Sequence, residues 1–278
     1  MYQRHFGLRE PPFGITPDTS FAYDCRAHQE ALNVTMVALD AGEGFIKITG
    51  DVGTGKTLLC RRVLANLDER YCTAYMPNPL LEPRGLMAAI GVELGLDLNP
   101  RDDPLHLLHS LNEAMISFAA EGRRTVVIID EAQAMPLATL ETLRLLSNLE
   151  TEKRKLLQVV LLGQPELDRN LEHPSVRQLK QRITFQYALR TLGRSELRHY
   201  VGHRLGVAGY RGGELFSPLA LWLLRRATGG VPRLVNILAH KAMLLVYAEG
   251  EDRVGARHVI AAARDTASAR NVLSPWLV

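Results

Sequence analysis

Cys25, Cys60 and Cys72 are the only three cysteines in 278 residues, and they form neither a CxxC pair nor a Cys/His metal pattern. An odd number without framework spacing excludes a disulfide scaffold and points to a reducing compartment. Long apolar runs are missing as well. No stretch reaches the roughly 18–20 residues a membrane span needs, and the most apolar part of the C-terminal region is interrupted by Arg225, Arg226, Arg233 and Lys241. Met1–Phe6 lacks the apolar stretch of a signal peptide. Low-complexity tracts and repeats of solenoid length are absent, which excludes repeat architectures. These absences together lead us to expect a cytoplasmic protein that meets a membrane only through a partner.

What is present is ordinary for a globular chain with a proper core: 46% hydrophobic and 23% charged residues. The net charge of +3 is too small to imply a polyanion partner. Its distribution says more. From Arg177 to Arg211 there are eight Lys or Arg against one acid, Glu196. That run could line a subunit interface, bind nucleic acid or be a solvated face. It has no aromatic interleaving suited to base stacking.

Short continuous apolar runs at Phe45–Thr49, Thr73–Met76, Thr125–Asp130, Leu157–Leu162 and Ile183–Tyr187 alternate with helical patterns. Uninterrupted apolar strands separated by helices predict a parallel sheet covered on both faces. Helices are expected over about 26–41, from Lys56, and over about 84–95, 104–120 and 137–149. After Leu192 the pattern is helical only, near 194–206, 218–227, 232–248 and 255–265. Ser217-Pro218 reads as an N-cap followed by Pro at the first helical position. The expected organisation is an α/β domain over 1–190 opening with an extended, Pro- and aromatic-rich segment, a helical domain over 191–270, and a tail over 271–278.

Gly50-Asp51-Val52-Gly53-Thr54-Gly55-Lys56-Thr57 fits the phosphate-loop pattern GxxxxGKT, between a strand and a helix that continues with Leu58. Its glycines let backbone N–H groups converge on phosphate oxygens. The following helix presents its positive N-terminus to the same anion. Lys56 supplies a point charge to the β and γ phosphates, and Thr57 a hydroxyl to Mg²⁺. Val126-Val127-Ile128-Ile129 then ends in Asp130-Glu131. Asp130 is placed to hold Mg²⁺, and Glu131 to polarise the attacking water as a general base. Two carboxylates rather than one favour hydrolysis over nucleotide switching.

On these motifs the chain resembles the AAA+ ATPases, and within them the general secretion pathway protein A (ExeA) family. The resemblance covers nearly the whole chain. It is carried by Phe6-Gly7-Leu8, Pro12-Phe13, Thr16-Pro17-Asp18, Ile129-Asp130-Glu131-Ala132-Gln133, Gly163-Gln164-Pro165-Glu166-Leu167, Arg177–Ile183 and Gly230-Val231-Pro232-Arg233. Ala31–Val34 and Thr73–Pro79 look most like the ATPases of MSHA-type (type IV) pilus biogenesis. The resemblance implies a P-loop α/β fold with a five-stranded parallel sheet, a small all-helical lid, and ATP and Mg²⁺ as ligands. It implies roles that spacing alone does not give. Gln164 falls at the sensor-1 position, where many AAA+ proteins carry Asn. Arg182 resembles the finger that reaches a neighbouring subunit's γ-phosphate, with Arg177 the competing candidate. Arg233 matches the sensor-2 arginine. The segment Phe13–Tyr23, with His28 and Glu30, resembles the part that borders adenine, although its aromatics could equally be packing.

The implied partners are copies of the chain itself, in a dimer or hexameric ring, and inner-membrane proteins of pilus or secretion assembly. Longer members of the family carry a membrane span and a peptidoglycan-binding domain that this sequence, ending near residue 278, does not imply. Two other readings stay open. A DNA-associated AAA+ regulator shares this core but is expected to need room for a winged-helix domain, so nucleic acid is not an expected partner. A nucleotide-dependent scaffold with marginal hydrolysis is the other.

Overall fold

A computed structural model describes residues 2–16, 18–149 and 155–271. Pro17 of the N-terminal motif and most of the expected tail lie outside these residues. The described chain divides into two compact units. One takes in Ala27–Asp51 and Leu59–Leu189. The other takes in the residues up to Arg26, Val52–Leu58 and those from Arg190 onward. The N-terminal segment, expected with the α/β domain, therefore groups with the C-terminal helices.

The sheet unit holds five parallel strands: β1 (Phe45–Thr49), β2 (Tyr71–Met76), β3 (Arg124–Ile129), β4 (Leu157–Gly163) and β5 (Ile183–Ala188). Their spatial order is β2-β3-β4-β1-β5. The apolar runs alternate faces with period two. Phe45, Val127, Ile129, Val159 and Leu161 enter one core, while Ile46, Ile48, Val126, Ile128, Val160 and Leu162 enter the other. That double burial is why the central strands read as continuous apolar runs rather than alternating ones.

The helices, in chain order, are α1 (Tyr2–His5), α2 (Arg26–Asp40), α3 (Lys56–Asn66), α4 (Pro83–Glu93), α5 (Pro104–Ala120), α6 (Leu137–Leu146), α7 (Glu166–Leu171) and α8 (Arg177–Arg182). They continue with α9 (Arg194–Val207), α10 (Pro218–Thr228), α11 (Pro232–Glu249) and α12 (Ala256–Arg264). Two departures from the sequence reading have visible causes, one local and one from a distant part of the chain. The helix expected over 137–149 stops at Leu146, where the Ser147 hydroxyl donates back to the Arg144 carbonyl at 2.6 Å. The opening segment, expected to be extended, contains α1, where Tyr2 packs edge-on against His240 of α11. Polar residues inside apolar strands also find structural uses. Gln158 of β4 and Arg124 of β3 donate to the last carbonyls of α2, Leu39 and Asp40, at 2.8–3.0 Å.

In the helical unit Ser217 caps α10 by accepting from the Ala220 N–H, as its sequence signal predicts. The buried Arg204 of α9 organises the N-terminal segment. Its guanidinium donates to the Pro12 carbonyl at 2.6 Å, the Gly14 carbonyl at 3.3 Å and the Tyr200 hydroxyl at 3.2 Å, and it covers the Phe21 ring at 4.9 Å. Arg204→Ala strands the Pro12 carbonyl and uncovers a ring face, while the Gly14 carbonyl keeps its bond from Asn236 Nδ2 at 3.0 Å. We expect a loss of about 3 kcal/mol in unfolding free energy, not recovered by Arg204→Lys, which cannot match the planar fork. Chemical denaturation followed by circular dichroism measures this; a loss below about 1 kcal/mol, the level of an exposed ion pair, would show the network to be dispensable.

Candidate functional site

In a parallel sheet flanked by helices, ligands bind beyond the carboxyl ends of the strands. Here those ends are aligned. β1 pairs with β4 through Thr49 opposite Gly163, and β4 with β3 through Leu161 opposite Ile129. The Gly50 N–H donates to the Gly163 carbonyl at 3.1 Å, and the Asp130 N–H to the Met76 carbonyl at 2.9 Å. Thus the start of the phosphate loop, Gln164 and the pair Asp130-Glu131 leave one edge of one sheet, with β4 between the other two strands.

Asp130 is 3% exposed, and its Oδ1 accepts the Glu131 N–H at 2.9 Å. Its charge is felt by α3. Burial first, and Asp130's charge second, push the Cys60 thiol up to about 12. Tyr75 is pushed up to about 12 by burial, then by Cys60 and Asp130. Both side chains are therefore neutral near pH 7, and Asp130 stands close to the helix that follows the loop.

Glu131 is the one non-glycine residue with positive φ among the described residues, at φ 53° and ψ 36°. A side chain in the left-handed region costs on the order of 1–2 kcal/mol, so the surrounding contacts must hold it there. They are visible. Glu131 Oε2 accepts from Gln133 Nε2 at 2.5 Å and from Gln164 Nε2 at 3.2 Å. Gln133 Oε1 in turn accepts the Gln164 backbone N–H at 2.9 Å. The structure thus brings Glu131 and Gln164 together, as two of the predicted site residues. Gln133 stands in the motif that carries the resemblance, but the sequence reading gives it no role; its place two residues after Glu131 is a weak signal because amides are common in loops.

The rest of the loop belongs to the helical unit. Val52 is 58% exposed, whereas Thr54 and Lys56 are buried. Gly53 (φ 80°) and Gly55 (φ 98°) adopt left-handed backbone that other residues take at a cost. Gly53 needs glycine twice over, because a Cβ there would lie 2.7 Å from the Arg233 Cβ. The Gly53 carbonyl accepts the Arg233 N–H at 3.2 Å. Arg233 thus meets the loop through its main chain, at the first turn of α11. Thr57 and Leu58 continue into the first turn of α3 and are half-buried, while Asp51 is exposed.

The basic run separates into individual cases. Arg182 is half-buried and turned onto the end of α6: Nη1 donates to the Ser147 Oγ at 2.6 Å and Nη2 to the Asn148 side chain. Arg177, first residue of α8, is exposed. Lys180 pairs with Glu172, Arg198 with Glu214, and Arg204 is buried as described. Much of the apparent excess charge is thereby engaged within the fold. Of the N-terminal aromatics, Phe13 packs edge-on against Phe216 and Tyr23 against Tyr200, and Phe21 lies under Arg204. Glu30 accepts the Tyr187 hydroxyl at 2.8 Å, and His28 is buried.

A parallel sheet with a GxxxxGKT loop after β1 and Asp-Glu after β3 defines a P-loop nucleoside triphosphatase. Comparison with known proteins narrows the class. Residues 39–171 match the family model described as an AAA domain. General secretion pathway protein A of Aeromonas hydrophila is 44% identical over 255 residues, covering 91% of this chain. The chain spans 46% of that relative's length. Among solved structures, the ORC2 protein of Aeropyrum pernix superposes with a TM-score of 0.63 at 19% identity, covering 90% of this chain and 72% of that one. Cdc6p from Pyrobaculum aerophilum gives 0.66 at 15% identity over 89% and 70%. The RuvB Holliday junction branch migration motor of Thermotoga maritima gives 0.58 at 18% over 91% and 73%. At such identities these three speak for the fold alone. The chain is an AAA+ ATPase related to general secretion pathway protein A over 91% of its own length. No helix among the described residues is long and apolar enough to cross a membrane.

Proposed function

We propose that this chain binds ATP with Mg²⁺ at Gly50–Thr57, hydrolyses it, and uses the cycle to drive assembly of an envelope machine. The observation that carries the hydrolytic reading is the carboxylate of Glu131, held in left-handed backbone by the amides of Gln133 and Gln164. A side chain kept in a costly conformation at the end of the sheet from which the phosphate loop starts is suited to orienting a water for attack. In this reading Lys56 neutralises the β and γ phosphates. Gln164 touches the γ-phosphate or the water. The donor set suits Mg²⁺, which takes hard oxygen ligands: Thr57 and Asp130 would hold it. When bound, the ion would neutralise charge on the phosphates. Arg233 links the helical domain, acting as a lid, to the loop. The division at about residue 190 and the lid's movement are part of the same proposal.

The role in an envelope machine rests on the name of the Aeromonas hydrophila relative. A secretion system or an MSHA-type pilus would be served from the cytoplasmic side, through inner-membrane assembly proteins. The site would be completed in a homo-oligomer, dimer or ring, by an arginine from the neighbour. Arg182 is the proposed finger, released from the end of α6 when subunits meet, and exposed Arg177 is its rival. The test is complementation. Arg182→Ala loses turnover, and mixing it with Lys56→Ala, whose own site is dead but whose arginines are intact, restores part of it. Restoration seen for Arg177→Ala instead moves the finger to Arg177. Restoration for neither removes the shared site.

A further inference from the structure

Glu131 does not meet Gln164 alone. Gln133 stands between them with both ends of its amide engaged: Nε2 donates to Glu131 Oε2 at 2.5 Å, and Oε1 accepts the Gln164 backbone N–H at 2.9 Å. This fixes which way the amide faces. Turned over, its NH₂ would oppose an N–H and its carbonyl would oppose a carboxylate. Gln133 is itself anchored, because Asn170 of α7 donates from Nδ2 to its backbone carbonyl at 2.9 Å. Room for the amide comes from Gly163, the last residue of β4, where a Cβ would lie 3.2 Å from Gln133 Oε1. Its bonds therefore run to both sides of the gap between the ends of β3 and β4.

We propose that Gln133 is a positioning residue for hydrolysis, the side chain through which Glu131 and the main chain at Gln164 move as one. Gln164 reaches the carboxylate by a longer bond from a side chain that must also serve the nucleotide. Gln133 makes the shorter bond to the same oxygen and holds the Gln164 main chain as well. Hydrogen bonds to an ionised acceptor are the stronger kind. The inference rests on the reading of Glu131 as general base, and adds that its aim is set by Gln133.

The test uses the full chain and four variants: Gln133→Met, of similar length without the amide; Gln133→Glu; Gln164→Met; and the double Gln133→Met/Gln164→Met. Turnover at saturating Mg-ATP, KM, affinity for a fluorescent ATP analogue and melting temperature are measured for each. Since about 1 Å of misplacement can cost on the order of 100-fold in rate, Gln133→Met is expected to lower kcat by about 10- to 100-fold. KM and analogue affinity stay at wild-type values. Gln133→Glu loses more, because a second carboxylate cannot donate and repels the first. The double variant falls no further than the worse single, because both amides act through one oxygen. Unchanged kcat in Gln133→Met, losses that multiply in the double, or a loss that disappears at low temperature would each overturn the proposal. Glu131→Gln is measured alongside. If it stalls while Gln133→Met is normal, only this inference falls. If Glu131→Gln turns over normally, the general-base reading falls and takes this one with it.

Discussion

Glu131→Gln binds ATP with wild-type affinity and turns it over about 10²- to 10⁴-fold more slowly, the range a positioned general base contributes. The substitution is mild for the fold. A glutamine carbonyl at the same position still accepts from Gln133 and Gln164, so the contacts holding the left-handed residue persist. What is lost is the ability to take a proton. Equilibrium binding of a labelled nucleotide and a single-turnover assay separate the two effects, since the first reads affinity and the second the chemical step. A single-turnover rate within a few-fold of wild type would remove Glu131 from the chemistry. Loss of binding would mean that the carboxylate shapes the loop rather than the reaction.

Lys56→Ala acts one step earlier, by abolishing useful nucleotide binding. Lys56 is 5% exposed at the first residue of α3, where the helix N-terminus already favours an anion. A unit charge about 4 Å from a phosphate oxygen, at an effective dielectric near 20, is worth about 4 kcal/mol. The corresponding loss of affinity is on the order of 10²- to 10³-fold. Calorimetric titration with Mg-ATP measures it directly. A second readout is thermal: ligand stabilises the folded state in proportion to RT ln(1 + [L]/Kd), so the variant's melting temperature stays flat where the wild type rises. An undiminished rise would show that the phosphates are held elsewhere.

The sheet was legible because its strands announce themselves one by one. Val126–Ile129 and Val159–Leu162 are apolar on both faces, and each forms a strand where the run predicts. The loop was legible because its residue types are needed in a fixed local order. The contacts that set the rest of the site are not local. Arg204 reads as one more charge in a basic run until the fold delivers the Pro12 and Gly14 carbonyls from about 190 residues away. Arg182, the proposed finger, gives no sign in the sequence of its resting place, which exists only because α6 ends early and offers Ser147 and Asn148. Gln133 acquires Gln164 and Asn170 as partners only when β3 and β4 pair. Nothing in the letters Asp-Glu says that the glutamate takes left-handed backbone, because that conformation is imposed by contacts drawn from two strands.

The bond from the Arg233 N–H to the Gly53 carbonyl joins main chain to main chain. A link of that kind is blind to the letter at position 233: any amino acid except proline can make it. Substitution there would, in the proposed sensor role, alter the charge offered to a phosphate and leave the mechanical tether intact. Position 53 has no such latitude, since even alanine would have to push the start of α11 away. Attachment and the proposed signalling are thus separable by mutation, the first residing in the glycine's lack of a side chain and the second in the arginine's possession of one.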